Sequence, residues 1–360
     1  MVTAQLTVEV LLAGLAGGVI GAAIGGLPAL SLAGVVISVG EIATVTGGVT
    51  PDDGGSVTEV FGVEPAALEA VGVSGSVGFG PVLGPHVAFA GGVAAAAYLG
   101  RRETIDTGFR YHQAKKITKP LGSQPDVLLV GGAFGVFGVL LARVTAEAGV
   151  PVDPVMLAVV VSGFVHRLAF GYPLVGRLGN LQTSVLDMSP FERDDRWGEP
   201  EHGTAQGTGG RHVVEPWLPE HYDPVQLTVL GAGVGVVSGY VALVTGSVFL
   251  AFGITAASLL FLSLGLYDLP VTHHMALPAS IAALAVVGDT EPVVALVAAG
   301  AFGVVGALAG ELAQRTLYAH ADTHLDPPAV SIVLTSLLLT VLAALGVLDP
   351  GPVPYPEIYR

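Results

Sequence analysis

Val225–Tyr267 reads VQLTVLGAGVGVVSGYVALVTGSVFLAFGITAASLLFLSLGLY, 43 residues without a formal charge. As a single helix it would be about 65 Å long at 1.5 Å per residue, roughly twice the ~30 Å hydrocarbon core of a bilayer. The stretch therefore predicts two membrane spans that turn near Thr245-Gly246. Val8–Val49, interrupted by Pro28, predicts two more with a turn near Gly25-Gly26-Leu27-Pro28. Further apolar stretches run over Val77–Leu99, Val127–Ala146, Pro154–Tyr172, Val271–Val287, Pro292–Leu312 and Pro327–Leu348. The expectation is an all-α integral membrane protein with ten transmembrane helices, multi-pass in the cell membrane.

Composition agrees with lipid as the solvent. Charged residues are 12% of the chain, about half the share in a soluble domain. Its 51 glycines follow no collagen period, and small residues of this kind let membrane helices approach closely. With no cysteine, disulfides, thiolate metal sites and a cysteine nucleophile are excluded. The start, residues 1–10, has no Lys or Arg and so lacks the basic region of a signal peptide. Net charge is −15, and Lys115, Lys116 and Lys119 are the three lysines. Acidic, lysine-poor loops keep a protein hydrated where salt screens charge over short distances, which points to a halophilic, archaeal source.

The chain resembles itself. Gly132-Ala133-Phe134-Gly135-Val136-Phe137-Gly138 recurs as Gly300-Ala301-Phe302-Gly303-Val304-Val305-Gly306, and Asp153-Pro154 recurs as Asp326-Pro327. Pro81 to His86 resembles Pro270 to His274, each followed by an alanine-rich run, and the helix around Gly17-Gly21 resembles that around Gly235-Gly239. The order is the same in both halves. Residues 1–173 and 224–348 are thus read as homologous halves, joined by a hydrophilic linker, 174–223, and followed by a tail, 349–360. Relative to the second half, the first carries an acidic loop at 50–76 and a basic loop at 100–126. With five helices each, an odd number, the halves have opposite orientations, the inverted-repeat plan of many secondary transporters. A four-plus-four plan, in which the first two spans of each half are one bent helix, makes them parallel instead.

Orientation follows from Lys and Arg. The basic loop holds Arg101, Arg102, Arg110, Lys115, Lys116 and Lys119, six of the fourteen, and is placed in the cytoplasm beside anionic headgroups. The linker follows it inside. The loop with Asp52, Asp53, Glu59, Glu64 and Glu69 falls outside.

The candidate site lies at two Pro/Gly-rich segments, Gly78 to His86 and Asp268 to Pro278, each opening the third span of its half. Proline and glycine at this density break a helix. Non-helical backbone at membrane depth persists where protein buries it or water reaches it, and broken helices at matching positions point to a transporter site. Each break ends in a helix N-terminus, which favours anions. Substrate contacts are assigned to His86, His273 and His274, with Gly84, Pro85 and Thr272 around them. Glu41, near the end of the second span, is added because intramembrane carboxylates are expensive and functional. Pro and Gly can equally start a helix at the interface, leaving the histidines among headgroups. Adjacent His273-His274 is poor metal-ligand spacing, and no metal, cofactor or catalytic group is expected.

Other polar residues are read structurally. Arg167, about 20 Å into the helix from Asp153, snorkels to headgroups; a pore-facing role is the alternative. Glu311, Arg143, Asp268 and Asp289 mark helix ends. Asp153-Pro154 and Asp326-Pro327 are N-caps. Gly14, Gly17, Gly21 and Gly25 form a packing face, inside the monomer or between protomers of a homo-oligomer. Nucleotide-binding, dinucleotide and kinase signatures are missing, no span carries a lysine for a retinal Schiff base, and nucleic acid is not an expected partner. The reading is a secondary transporter or permease for a small, anionic solute or ion, not an enzyme. A passive channel and a non-transporting membrane scaffold are the alternatives.

Overall fold

The computed structural model of the protein describes residues 6–47, 73–102, 113–178, 184–196, 212–218, 221–287 and 291–353. The carboxylates Asp52, Asp53, Glu59, Glu64 and Glu69, together with Arg110, Asp289 and the end of the tail, lie outside them. The described residues are helical, with one isolated bridge between Arg196 and His212 and no strand.

The helices are α1 (Val8–Ile24), α2 (Gly26–Gly47), α3 (Ala90–Arg102), α4 (Pro125–Glu147), α5 (Pro154–Ala169), a short α6 (Ser189–Glu192), α7 (Pro224–Thr245), α8 (Leu250–Ser258), α9 (Leu260–Ser263), α10 (His273–Val287), α11 (Pro292–Ala313) and α12 (Pro327–Ala344). Wider π turns precede α3 at Pro85–Phe89, stand apart at Ser74–Gly78, and extend α11 at Gln314–Tyr318. Five helices are long and apolar enough to cross a membrane: Gly26–Thr46, Pro125–Glu147, Pro224–Thr245, Pro292–Tyr318 and Pro327–Ala344. Four more apolar helices have 10–17 residues, α10 among them. Within the apolar stretch Val77–Leu99, the segment read as a break is discontinuous, with residues 79–84 irregular between two π turns.

Local chemistry sets the boundaries. Asp153, Asp223 and Asp326 cap α5, α7 and α12 by accepting from main-chain N–H groups of Met156, Val225 and Ala329 at 2.8, 2.7 and 2.9 Å. Each is followed by proline, whose missing N–H is no loss in a first turn. Gly25 (φ 96°) separates α1 from α2, and Gly246 (φ 72°) ends α7. Both turns stand where the length argument put them.

Small residues set the packing. A Cβ on Gly18 would sit 2.1 Å from the Gly131 carbonyl oxygen, and one on Gly235 would sit 2.4 Å from that of Ala299. Gly14 meets Gly135 in the first half as Gly231 meets Gly303 in the second. Thus α1 runs antiparallel to α4, and α7 antiparallel to α11, through corresponding positions. The stripe Gly14, Gly17 and Gly21 is used against Val139, Val82 and Ala88 of the same chain. That face is therefore not free for a second protomer.

Across the halves, α2 packs on α8. Gly34 meets Ala257, and Gly253 meets Ser38, so these helices are antiparallel. So are α5 and α12: Asp153 N–H donates to Ser336 Oγ at 3.0 Å, while His166, near the other end of α5, reaches Thr323 just ahead of α12. One buried apolar core draws on both halves and the linker, including Phe79, Trp217, Phe252, Leu277 and Ile332. The outer faces remain apolar, with Leu12, Leu129, Val144, Val229, Val237 and Val297 exposed. An exposed apolar surface of that extent requires lipid or another apolar partner.

Candidate functional site

The two breaks end in the same local geometry. At the first, the Gly84 carbonyl accepts from Val87 and Ala88 N–H groups at 2.8 and 3.0 Å. At the second, the Thr272 carbonyl accepts from Met275 and Ala276 N–H groups, both at 3.0 Å. His86 and His274 occupy the same place in these two starts, and each turns its carbonyl toward the corresponding glycine of its own half, Gly138 or Gly306. Those glycines lie about 20 Å into α4 and α11, so both helix starts are inside the bundle.

His86, His273 and His274 are 5%, 2% and 2% exposed. Their main-chain N–H groups precede the first intrahelical bonds and meet no acceptor among the described residues. Their Nδ1 atoms have no partner among those residues either. A buried polar atom without a partner costs about 1–3 kcal/mol, and such atoms point to a water, ion or solute. The helix dipole adds a preference for negative charge.

The second start reaches the first break through aromatic rings. His273 and His274 lie 5.8 Å apart, centroid to centroid, and His273 is 5.7 Å from Phe252. Phe252 stacks on Phe79 of the first break at 5.5 Å. Thr272, His273 and His274 thus form one group, linked through Phe252 to Phe79, and Gly84, Pro85 and His86 a second. Glu41 belongs to neither. Its Oε2 accepts from Ser247 Oγ at 2.6 Å, fastening the end of α2 to the turn between α7 and α8.

A dense polar shell closes the bundle at the basic-loop end. Arg167 is fully buried, so the snorkelling reading is corrected. Its Nε donates to Thr323 Oγ1 at 3.0 Å, and its terminal nitrogens donate to the carbonyls of Leu317, Thr323 and Leu174. The Thr323 hydroxyl also meets His166 Nε2 at 3.0 Å. Lys115 and Lys116 are also buried, not spread on headgroups. Lys115 Nζ is 3.0 Å from Glu215 Oε2 of the linker. Glu311, read as a boundary charge, is 6% exposed and binds Gln314 and Arg315.

The described residues of the linker are consequently part of the fold. Val213, Val214 and Glu215 are fully buried. His221 brings its ring to 6.4 Å from that of His274, and burial pushes its pKa down to about 4. His324 is lowered as well, chiefly by burial, although a 3.1 Å contact with Asp326 opposes the shift. Sequence reasoning missed Glu215, Gln314, Tyr318, Thr323 and His324. The available signal was His320-Ala321-Asp322-Thr323-His324-Leu325-Asp326, a polar run set directly against an apolar helix.

Among the described residues no group of three or more His, Asp or Glu side chains is placed to hold a metal ion. Comparison with curated proteins and with solved structures finds no match. A match over residues 1–355 shows that the chain belongs to DUF7973, a family of unknown function.

Proposed function

We propose that the protein is a multi-pass cell-membrane transporter for a small anion, built as an inverted repeat of five helical segments per half. The observation that carries the reading is the pair of matching helix starts inside the bundle. The first offers the unpaired His86 N–H, the second those of His273 and His274, and each an unpaired imidazole nitrogen. Half-helix N-termini at the interface of inverted repeats are how several transporters hold anionic groups. The antiparallel pairing of α2 with α8 and of α5 with α12 supports the inversion. A two-fold axis in the membrane plane relates equivalent helices in that way, whereas an axis along the membrane normal would leave them parallel. The five long helices support several crossings, and the shorter apolar helices complete the ten segments.

The test is anion-dependent current from purified protein in liposomes, with chloride, nitrate, formate, acetate and phosphate as probes. At least one should give a current above empty vesicles. His86→Gln and His274→Gln should lower it by about tenfold or more with the fold retained, because a hydrogen bond to a charged group contributes about 1.5–3 kcal/mol. No current with any probe removes the proposal. Unchanged current in both variants removes the histidines from it.

A further inference from the structure

The segment ahead of α12 brings an imidazole up to both helix starts. His324 is fully buried. Its ring meets Phe89 edge-on at 5.9 Å, and Phe89 closes the π turn that holds His86. Trp217 and Tyr318 also meet it edge-on, at 5.7 and 5.2 Å. Its Nε2 is 3.1 Å from Asp326 Oδ1. Asp326, 6% exposed, uses its other oxygen to cap α12 and acts electrostatically on His273 of the second start. The pair therefore touches the first start through Phe89 and reaches the second through the Asp326 charge.

Asp326 also fixes the tautomer of the ring. A carboxylate only accepts, so His324 Nε2 carries the hydrogen and Nδ1 presents its lone pair. Nδ1 has no partner among the described residues. An apolar ring would fill the same aromatic surroundings without stranding a nitrogen. What His324 provides, and an apolar ring would not, is a base inside the bundle, oriented by a carboxylate. Its natural ligand is a proton, which needs no cavity.

The surrounding charges decide when that proton binds. Burial first, then Lys115 and Arg167 by their charge, hold His324 neutral at pH 7 against the pull of Asp326. His166 of α5 is within electrostatic reach. Lys115 is paired with Glu215 of the linker, and Arg167 feels Asp322 and Tyr318. The two starts contribute His86 and His273. An anion held at those starts adds a negative charge to this set.

We propose that His324 Nδ1 is a proton site linked to the anion site, each ligand strengthening the binding of the other. As regulation of transport it rests on the transport reading, whereas the linked binding itself does not. The step is reversible protonation: the Nδ1 lone pair forms the new N–H bond, the solvent gives up the proton, and no other bond changes. Opposite charges on the order of 10 Å apart in a protein strengthen each other's binding by about tenfold, and the factor is the same in both directions. Anion affinity therefore rises as pH falls below about 6.5, the ordinary histidine value. The proton is not required for anion binding, so the anion also moves alone at neutral pH and carries current.

The test uses the purified full chain in detergent and the five anions of the transport assay, each adjusted to the working pH at constant ionic strength. An indicator dye reads proton uptake from pH 7 downward, with the buffering of the anion subtracted. With at least one anion the parent should take up protons. Its half-saturating anion concentration, read by thermal stabilisation, should fall by about tenfold over the same pH range. His324→Gln, whose amide can still donate to Asp326, should lose both effects. Asp326→Asn, which still caps α12, should shift the uptake to lower pH by about one unit, because a charge-assisted contact is lost. A parent that takes up no proton with any anion overturns the inference, and so does uptake that survives His324→Gln. If His324→Gln does not fold, Asp326→Asn decides, and uptake at an unchanged pH overturns it. Liposome currents separate the two readings. A parent that passes current without proton uptake sinks only this one, and proton uptake with no current from the parent sinks only transport.

Discussion

Gly138→Ala tests whether the first broken helix is seated as described. A Cβ on Gly138 would stand 1.7 Å from the His86 carbonyl oxygen, whereas ordinary contact begins at 3.4 Å. The separation must grow by roughly 1.7 Å, and neither side yields easily. The His86 backbone belongs to a helix start fixed by the two bonds to Gly84, and α4 is held on another face by α1 through Gly131 and Gly135. Overpacking of well-packed sites costs about 1–3 kcal/mol and occasionally more; a backbone clash this close belongs at the upper end. Alanine regains about 1 kcal/mol over glycine in a helix. The net expectation is about 2 kcal/mol of destabilisation. At the matching position, Gly306→Ala places the Cβ 2.6 Å from the His274 carbonyl oxygen. The smaller displacement leaves a net cost of about 0–1 kcal/mol. Gly233, in α7, has nothing within 4 Å of a built Cβ, so Gly233→Ala should gain about 1 kcal/mol. Unfolding by graded SDS in mixed micelles should rank Gly233→Ala above the parent, Gly306→Ala slightly below it, and Gly138→Ala last. A Gly138→Ala protein as stable as Gly233→Ala would refute the close approach of α4 to the break, and with it the position of His86.

Arg167→Leu strands the carbonyls of Leu317 and Thr323 and should cost about 3 kcal/mol or more, read as loss of monodisperse protein in size-exclusion chromatography. Arg167→Lys should not rescue it, because an ammonium cannot reproduce the guanidinium fork; a well-folded Arg167→Leu would restore the snorkelling reading. His221 is held neutral with a pKa of about 4 against 6.5 unfolded. Its contribution is therefore complete above pH 6.5 and is lost as pH falls toward 4, by up to about 3 kcal/mol. The acid loss should be visibly smaller in His221→Asn, and equal slopes would show that His221 is not buried. In the cysteine-free chain, Thr46→Cys at the end of α2 and Ser123→Cys ahead of α4 sit at opposite ends of the bundle. An impermeant maleimide on intact cells should label the first and spare the second, and the reverse pattern would invert the orientation drawn from Lys and Arg.

The features legible in the sequence were those set by near neighbours. Gly25 and Gly246 end helices because a left-handed or otherwise unusual backbone falls to glycine, and a charge-free run of more than 40 residues must turn somewhere. Asp-Pro pairs cap helices wherever they occur. The third element of the first half was legible as a break through Pro81 and Pro85, but its π turns were not, since they depend on what packs against the segment. Hydropathy also overran α8 and α9. It stays high as far as Tyr267, whereas the helix has already ended at Ser263 and the chain turns at Gly265, φ 94°. Apolarity reports the solvent around a segment and says little about where its helix stops.

The histidines at the helix starts could be found because they adjoin Pro and Gly, so the same short window contains both the break and the side chain. Glu215 and Lys115 could not be found that way. Each sits in a hydrophilic stretch, and a hydrophilic stretch of a membrane protein reads as solvated or as lying among headgroups. That inference weighs every charge alone, and alone a buried lysine or glutamate would be prohibitive. Here the two come from segments 100 residues apart and meet at 3.0 Å, so each removes most of the other's penalty. Glu311 and Arg315, four apart on one helix, make a pair that spacing can reveal; a pair closed by tertiary folding leaves no such period. The trace that did exist was apolar. Val213, Val214, Trp217 and Leu218 stand close together in the linker, and that cluster is what carries Glu215 under cover.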